Sequence, residues 1–136
     1  MREGLPCRRA WQILIKKNNR QLGKEKEDFA ADYLMNRGFR IMERNFRCRQ
    51  GEIDLIGYDG EFLVFVEVKY RSSQHFADPL SAVNIAKMVQ ICKVADYYRY
   101  LKQIKPSVPI RYDVVGILKN ETAWVKNAFP HTYKRY

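Results

Sequence analysis

A chain of 136 residues has room for one domain and one core rather than two. A hydrophobic content of 46% excludes a disordered chain, and a chain this long needs neither disulfides nor a structural metal to hold a core. Twenty-five Lys and Arg against fifteen Asp and Glu leave a formal charge of +10, which points to a polyanionic partner, nucleic acid before an anionic membrane surface.

The chain opens on a basic arm, residues 1–18, in which Arg2, Arg8, Arg9, Lys16 and Lys17 stand against Glu3 alone. Such an arm can bind nucleic acid, lie as a weak surface helix, or fray. Its apolar run, Ile13-Leu14-Ile15, is too short for a signal peptide, and no stretch has transmembrane length. Cys7, Cys48 and Cys92 are odd in number and form no CxxC pair, so they read as reduced thiols of a cytoplasmic protein without a zinc site.

From Leu22 to Arg37 the apolar positions Leu22, Ala30, Ala31, Tyr33 and Leu34 recur at helical spacing, and Gly38 supplies a stop. Phe39–Cys48 reads as a strand, Gln50-Gly51 as a turn, and Glu52–Tyr58 as a second strand. Asp59-Gly60 signals a hairpin into Phe62–Tyr70, nearly all apolar before Glu67, as expected of a central strand buried on both faces. After a polar loop, Arg71–Asp78, a helix spans Pro79–Ile104 or starts near Asn84, with Ile91, Val94, Ala95, Tyr98 and Leu101 as its apolar face. Arg111–Leu118 and Thr122–Ala128 complete the strands, and Pro130–Tyr136 is expected to be a loose tail. The order implies an α/β fold with a mixed central sheet flanked by helices.

The hairpin carries the chemistry. With Asp59 and Gly60 as turn residues, Asp54 falls opposite Phe65 and Glu52 opposite Glu67. Alternation then puts Glu52, Asp54, Phe65, Glu67 and Lys69 on one face. Asp54 lies diagonal to Glu67, with Cβ atoms up to roughly 7–8 Å apart. Two carboxylates at that spacing can share a hard divalent cation, and Lys69 can orient a water or neutralise charge on a phosphate. The alternative is an exposed hairpin end with solvated charges. Glu27 lies on the helix stripe Gly23, Glu27, Ala30, Ala31, Leu34, where the small residues would let helix and sheet approach; as a plain first-turn acid it would merely suit the helix dipole. Lys87, Gln50, Arg71 and Lys24 are candidates for nucleic-acid phosphates, with solvated surface roles as the alternative. Asp113 reads as structural, and His75 and His131 as surface residues.

Gly51-Glu52-Ile53-Asp54-Leu55-Ile56 followed by Val64-Phe65-Val66-Glu67-Val68-Lys69 closely resembles the YraN-like family of small bacterial proteins. The likeness runs from Gln21-Leu22-Gly23 and Glu27–Leu34 through Lys87 and Arg111–Val115 to Asn127-Ala128-Phe129, about residues 19–129. The family in turn resembles the PD-(D/E)XK restriction-endonuclease-like superfamily, near the archaeal Holliday junction resolvases. The resemblance implies a nuclease-like domain over 19–129, followed by a tail, 130–136. It implies that Asp54 and Glu67 bind Mg²⁺ (or Mn²⁺), that Lys69 assists the nucleophilic water, and that Glu27 completes the acidic cluster. Lys26 stands where the family usually has glycine, and Ala77 where glycine is common.

The expected activity is metal-dependent endonucleolytic hydrolysis of DNA, selective for branched or junction structure because few groups are placed to read bases. A homodimer would present two sites to a four-way junction. The alternative is a non-catalytic nucleic-acid-binding module on a nuclease fold. No membrane role is expected.

Overall fold

The structure, a computed structural model, describes residues 19–71, 83–118 and 121–132, and for residues 19–22 and Arg71 the backbone alone. The basic arm, the loop holding His75 and Ala77, the Arg71 side chain and the last four residues lie outside the described residues. In chain order the described elements are α1 (Asn19–Met35), β1 (Arg40–Cys48), β2 (Gly51–Asp59), β3 (Phe62–Arg71), α2 (Ile85–Leu101), β4 (Ile110–Leu118) and β5 (Glu121–Val125). They form a five-stranded sheet in the order β1-β2-β3-β4-β5, with β3 and β4 parallel and the other neighbours antiparallel. The α/β fold expected from the sequence is therefore observed, and the arrangement is that of a restriction-endonuclease-like core.

Strand alternation divides the core between the two faces. Leu63 and Phe65 of β3 join Ile91, Val94, Ala95 and Tyr98 of α2, whereas Val64 and Val66 join Ala30, Ala31 and Leu34 of α1. Burying a full-sized apolar side chain stabilises a fold by about 1.5–3 kcal/mol, so a strand filled on both faces anchors the sheet. The second helix takes the later of its two possible starts: Asn84 caps it, its side chain accepting from Lys87 N at 2.8 Å. Leu101, the last residue of the helix and assigned to the apolar face, is instead 48% exposed.

The hairpin register differs from the expected one. Asp59 pairs with Phe62, so Gly60 and Glu61 form the turn. Gly60 takes φ 61° at the first turn position, where a type II′ turn favours glycine, rather than at the second. The shift moves every pairing by two residues and so keeps the faces. It brings Asp54 level with Glu67 instead of diagonal to it. Glu52 does not oppose Glu67; it pairs across the β1–β2 ladder with Arg47, whose Nε is 2.9 Å from Glu52 Oε2. That turn also sits one residue earlier than expected, at Arg49-Gln50, with Gly51 already paired to Cys48.

Residues 129–132 are packed rather than loose. Phe129 is buried and stacks on Tyr112 at 5.1 Å. His131, expected to be a plain surface residue, meets the Tyr112 hydroxyl through Nδ1 at 2.6 Å, and Thr132 N donates to Cys92 Sγ. Beta-5 ends at Val125, short of the expected Ala128, where Lys126 and Asn127 turn the chain towards this contact.

Candidate active site

The site forms where β2 and β3 part company. Their ladder runs from Asp59↔Phe62 to Leu55↔Val66. At the next position the Asp54 side chain replaces the backbone partner: its Oδ2 accepts from Val68 N at 2.8 Å. The alternation of β2 also breaks there. Leu55 packs on the α1 face and Ile53 on the α2 face, although residues two apart on a regular strand share a face. Their partners on β1 do the same: Arg44 binds Asp28 of α1, while Phe46 packs edge-on against Tyr98 of α2 at 5.1 Å. Between those partners Asn45 adopts φ 54°, the left-handed conformation that asparagine tolerates better than most residues. Asp54 thus sits at a changeover between the two faces.

That position explains its electrostatics. Burial first, and then the charge of Glu67, push the Asp54 carboxyl up to about 7; the Val68 N–H opposes them, while Glu27 and a side-chain hydrogen bond with Glu67 add to the rise. Glu67 is 6% exposed. Its Oε2 lies 3.2 Å from Lys69 Nζ and 3.9 Å from Lys87 Nζ. Two carboxyls in contact, one nearly buried, with two ammonium groups at their rim, can share a proton or a cation.

The candidates separate cleanly. Asp54, Glu67 and Lys69 come together as the sequence implied, and Lys87 joins them although 20 residues separate it from Glu67. Glu27 is half-buried and close enough to act on Asp54 through its charge, but among the described residues no three His, Cys, Asp or Glu side chains are gathered as a ready metal cage. The expected close approach at Gly23 is not seen: an added Cβ there would meet nothing within 4 Å. Gly23, Lys24 and Glu27 instead line a depression of about 450 Å³ with Asp28, Arg44 and Arg47. Gln50 stands on the β1–β2 turn, where its Oε1 accepts from Cys48 Sγ at 3.2 Å. Lys26 sets its ammonium 5.2 Å from the Tyr70 ring centroid and so ties α1 to β3.

Sequence reasoning missed Gln90 and Arg47. Gly51 carries φ 145°, a conformation that disfavours any side chain, and a Cβ added to it would lie 2.7 Å from the Gln90 side chain of α2, which would have to move aside. Counting the first hairpin from a Gln50-Gly51 turn would have put Arg49 opposite Glu52; the observed turn puts Arg47 there. Asp113 is structural, as expected: fully buried, it accepts from Arg111, Trp124 Nε1 and Asn127 N.

Comparison with known proteins agrees with the motifs. The pattern of the Uncharacterised protein family UPF0102 matches residues 26–117. A UPF0102 protein of Lachnoclostridium phytofermentans is 44% identical over 112 residues, covering 82% of this chain and 95% of that protein. One from Thermodesulfovibrio yellowstonii is 43% identical over 109 residues (80% and 96%), and one from Legionella pneumophila 40% over 109 residues (79% and 92%). Among the described residues no helix is long and apolar enough to cross a membrane.

Proposed function

The chain belongs to the UPF0102 (YraN-like) family, and from that premise and the geometry above we propose that it is a divalent-metal-dependent endonuclease that hydrolyses phosphodiester bonds in DNA, selectively at branched or junction structures. The observation that carries the reading is the contact of the Asp54 and Glu67 carboxyls with Lys69 Nζ 3.2 Å from Glu67. A structural role alone would not place two carboxyls together at a cost in electrostatic energy. The residues fit Mg²⁺ or Mn²⁺, since Mg²⁺ is commonly held by one or two carboxylates, water and substrate phosphate rather than by an all-protein cage. Once bound, such an ion would lower the pKa of a water and polarise a phosphoryl oxygen.

Asp54 and Glu67 would hold the ion, with the Val68 carbonyl as a neighbouring ligand and Glu27 as an outer carboxylate. The Val68 N–H fixes the Asp54 carboxylate, so one oxygen is oriented before substrate arrives. Lys69 would hold the attacking water or the charge that develops on the phosphate, and Lys87 the phosphate itself. Lys24, Gln50 and Arg71 would contact the backbone of the substrate, giving binding that weakens with salt. A dimer would offer two such sites to a four-way junction.

A second reading, a non-catalytic DNA-binding module, draws on the lack of a third acidic or imidazole ligand beside the pair among the described residues. Branched, flapped and linear DNA, each incubated with Mg²⁺, Mn²⁺ or EDTA, separates the two. Metal-dependent nicking that disappears in Asp54→Ala and Glu67→Ala is the expected result; tight binding without nicking of any substrate would leave the binding module standing.

A further inference from the structure

Three shallow depressions lead away from the acidic pair along the end of β1 and the outer side of α2, and they join through shared residues. The first, about 310 Å³, starts at Lys87 and Gln90 and reaches Arg47 and Cys48. The second, about 400 Å³, shares Arg47 and Cys48 and adds Phe46, Arg49, Gln50 and Tyr97. The third, about 360 Å³, shares Gln50 and Tyr97 and adds Lys93, Asp96 and Tyr100. Tyr100 is 80% exposed and Tyr97 39%, with Leu101 beside them at 48%. Phe46 braces Tyr97 from beneath, ring to ring at 6.4 Å.

The charges along this track are positive where they are free. The acids on it are occupied: Glu52 by Arg47, Asp96 by Arg99 at 3.1 Å. Arg49 and Lys93 are exposed and make no ion pair among the described residues. Exposed aromatic rings alternating with unpaired cations suit a partner that offers flat apolar faces and a regular negative charge together. An unpaired nucleic-acid strand does so, whereas a duplex keeps its base faces stacked inside.

We propose that this track receives an unpaired DNA strand, with bases stacked on Tyr97 and Tyr100 and phosphates on Arg49 and Lys93, and delivers it to Lys87 beside Glu67. The proposal rests on the reading of that pair as the site of phosphodiester chemistry, and it names the feature of a branched substrate that would be selected: a single-stranded segment next to the scissile phosphate.

The test is fluorescence anisotropy of the full chain in EDTA, with a labelled oligothymidine of about 20 nucleotides and a duplex of equal length. The single strand should bind more tightly than the duplex at equal salt. Tyr97→Ala and Tyr100→Ala should each weaken single-strand binding roughly ten-fold and leave the duplex unaffected, while Tyr100→Phe should retain the parent affinity. Lys93→Ala should lower the salt slope by roughly 0.7. Alanine variants that bind the oligothymidine as the parent does, or a parent that prefers the duplex, overturn the proposal. So does a dimer in sedimentation that Tyr100→Ala dissolves without change in oligothymidine affinity, because the face then belongs to a second copy of the chain. Binding in EDTA requires no cleavage, so this arm stands or falls apart from hydrolysis, which the Asp54→Ala variant tests alone.

Discussion

Two aspartates of this sheet, one fully buried and one partly buried, have opposite surroundings. Asp113 is fully buried, yet every neighbour that touches its carboxylate donates to it: Arg111 twice, Trp124 and the Asn127 N–H. Arg111 also binds Asp59, and its hydrogen bond to the Asp59 carboxyl holds that group below the usual carboxylate range. Asp54 accepts one N–H, and burial, the facing Glu67 and the charge of Glu27 raise its carboxyl. The first arrangement neutralises a charge so that the fold can close over it. The second keeps like charges together, a repulsion that a proton, or the cation of the proposed function, would relieve. Burial by itself therefore does not single out a candidate carboxylate; the sign of its neighbours does.

The contrast can be broken at either end, and the largest effect is expected at Asp113. Asp113→Ala strands Arg111 and should lower stability by about 3–5 kcal/mol, a fall in Tm of roughly 10–20 °C. A melting curve within a few degrees of the parent would show that the carboxylate does not hold the β4–β5 end together. Asp54→Ala and Glu67→Ala should instead keep the fold and lose cleavage by about 10²–10³-fold or more under Mg²⁺. Single-turnover rates on a branched substrate check this, and rates near the parent's would remove both residues from the chemistry.

Next comes pH. The folded Asp54 carboxyl is pushed up to about 7, from an ordinary value of 3.8. The folded state therefore binds more protons than the unfolded one between those values, and stability falls as pH rises from about 4 to about 7. The loss should be on the order of 2 kcal/mol, less than the full linkage value because Asp54 keeps some water contact. Denaturant titrations of the metal-free protein across that range measure it. Asp54→Asn, whose amide oxygen can still accept from Val68, should flatten the profile and raise stability at neutral pH. A slope unchanged in Asp54→Asn would mean that other groups set it.

The smallest effect concerns one hydrogen bond of the satisfied aspartate. Trp124→Phe removes the Nε1 donor, 2.8 Å from Asp113 Oδ2, and should cost about 1–2 kcal/mol without altering DNA cleavage. An equal loss from Lys87→Ala, which faces the other pair, would erase the distinction between the two ends.

Much of the site could be read from residues alone. Glu67 and Lys69 are two apart on a strand, so they share a face whatever the register, and Asp54 remained within reach because the hairpin shift was an even one. Asn84 announced the start of α2 through its capping chemistry. The errors have physical sources. Gly60 took the first turn position instead of the second, and that choice depends on strand twist. His131 looks like a tail residue until the flat Tyr112 ring is beneath it.

What the amino-acid order determined by itself was local: where strands and helices run, which side chains alternate together, and that a basic chain concentrates acids on one hairpin. What only the tertiary structure decided was which of those acids touch. The exchange of faces at Asn45 and Asp54, the arrival of Lys87 beside Glu67 and the track of Tyr97 and Tyr100 all depend on packing between segments far apart in the chain. Periodicity and propensity act over a few residues, whereas these contacts follow from how a crossover helix settles onto a twisted sheet, a matter of shape and volume that no short stretch of sequence contains.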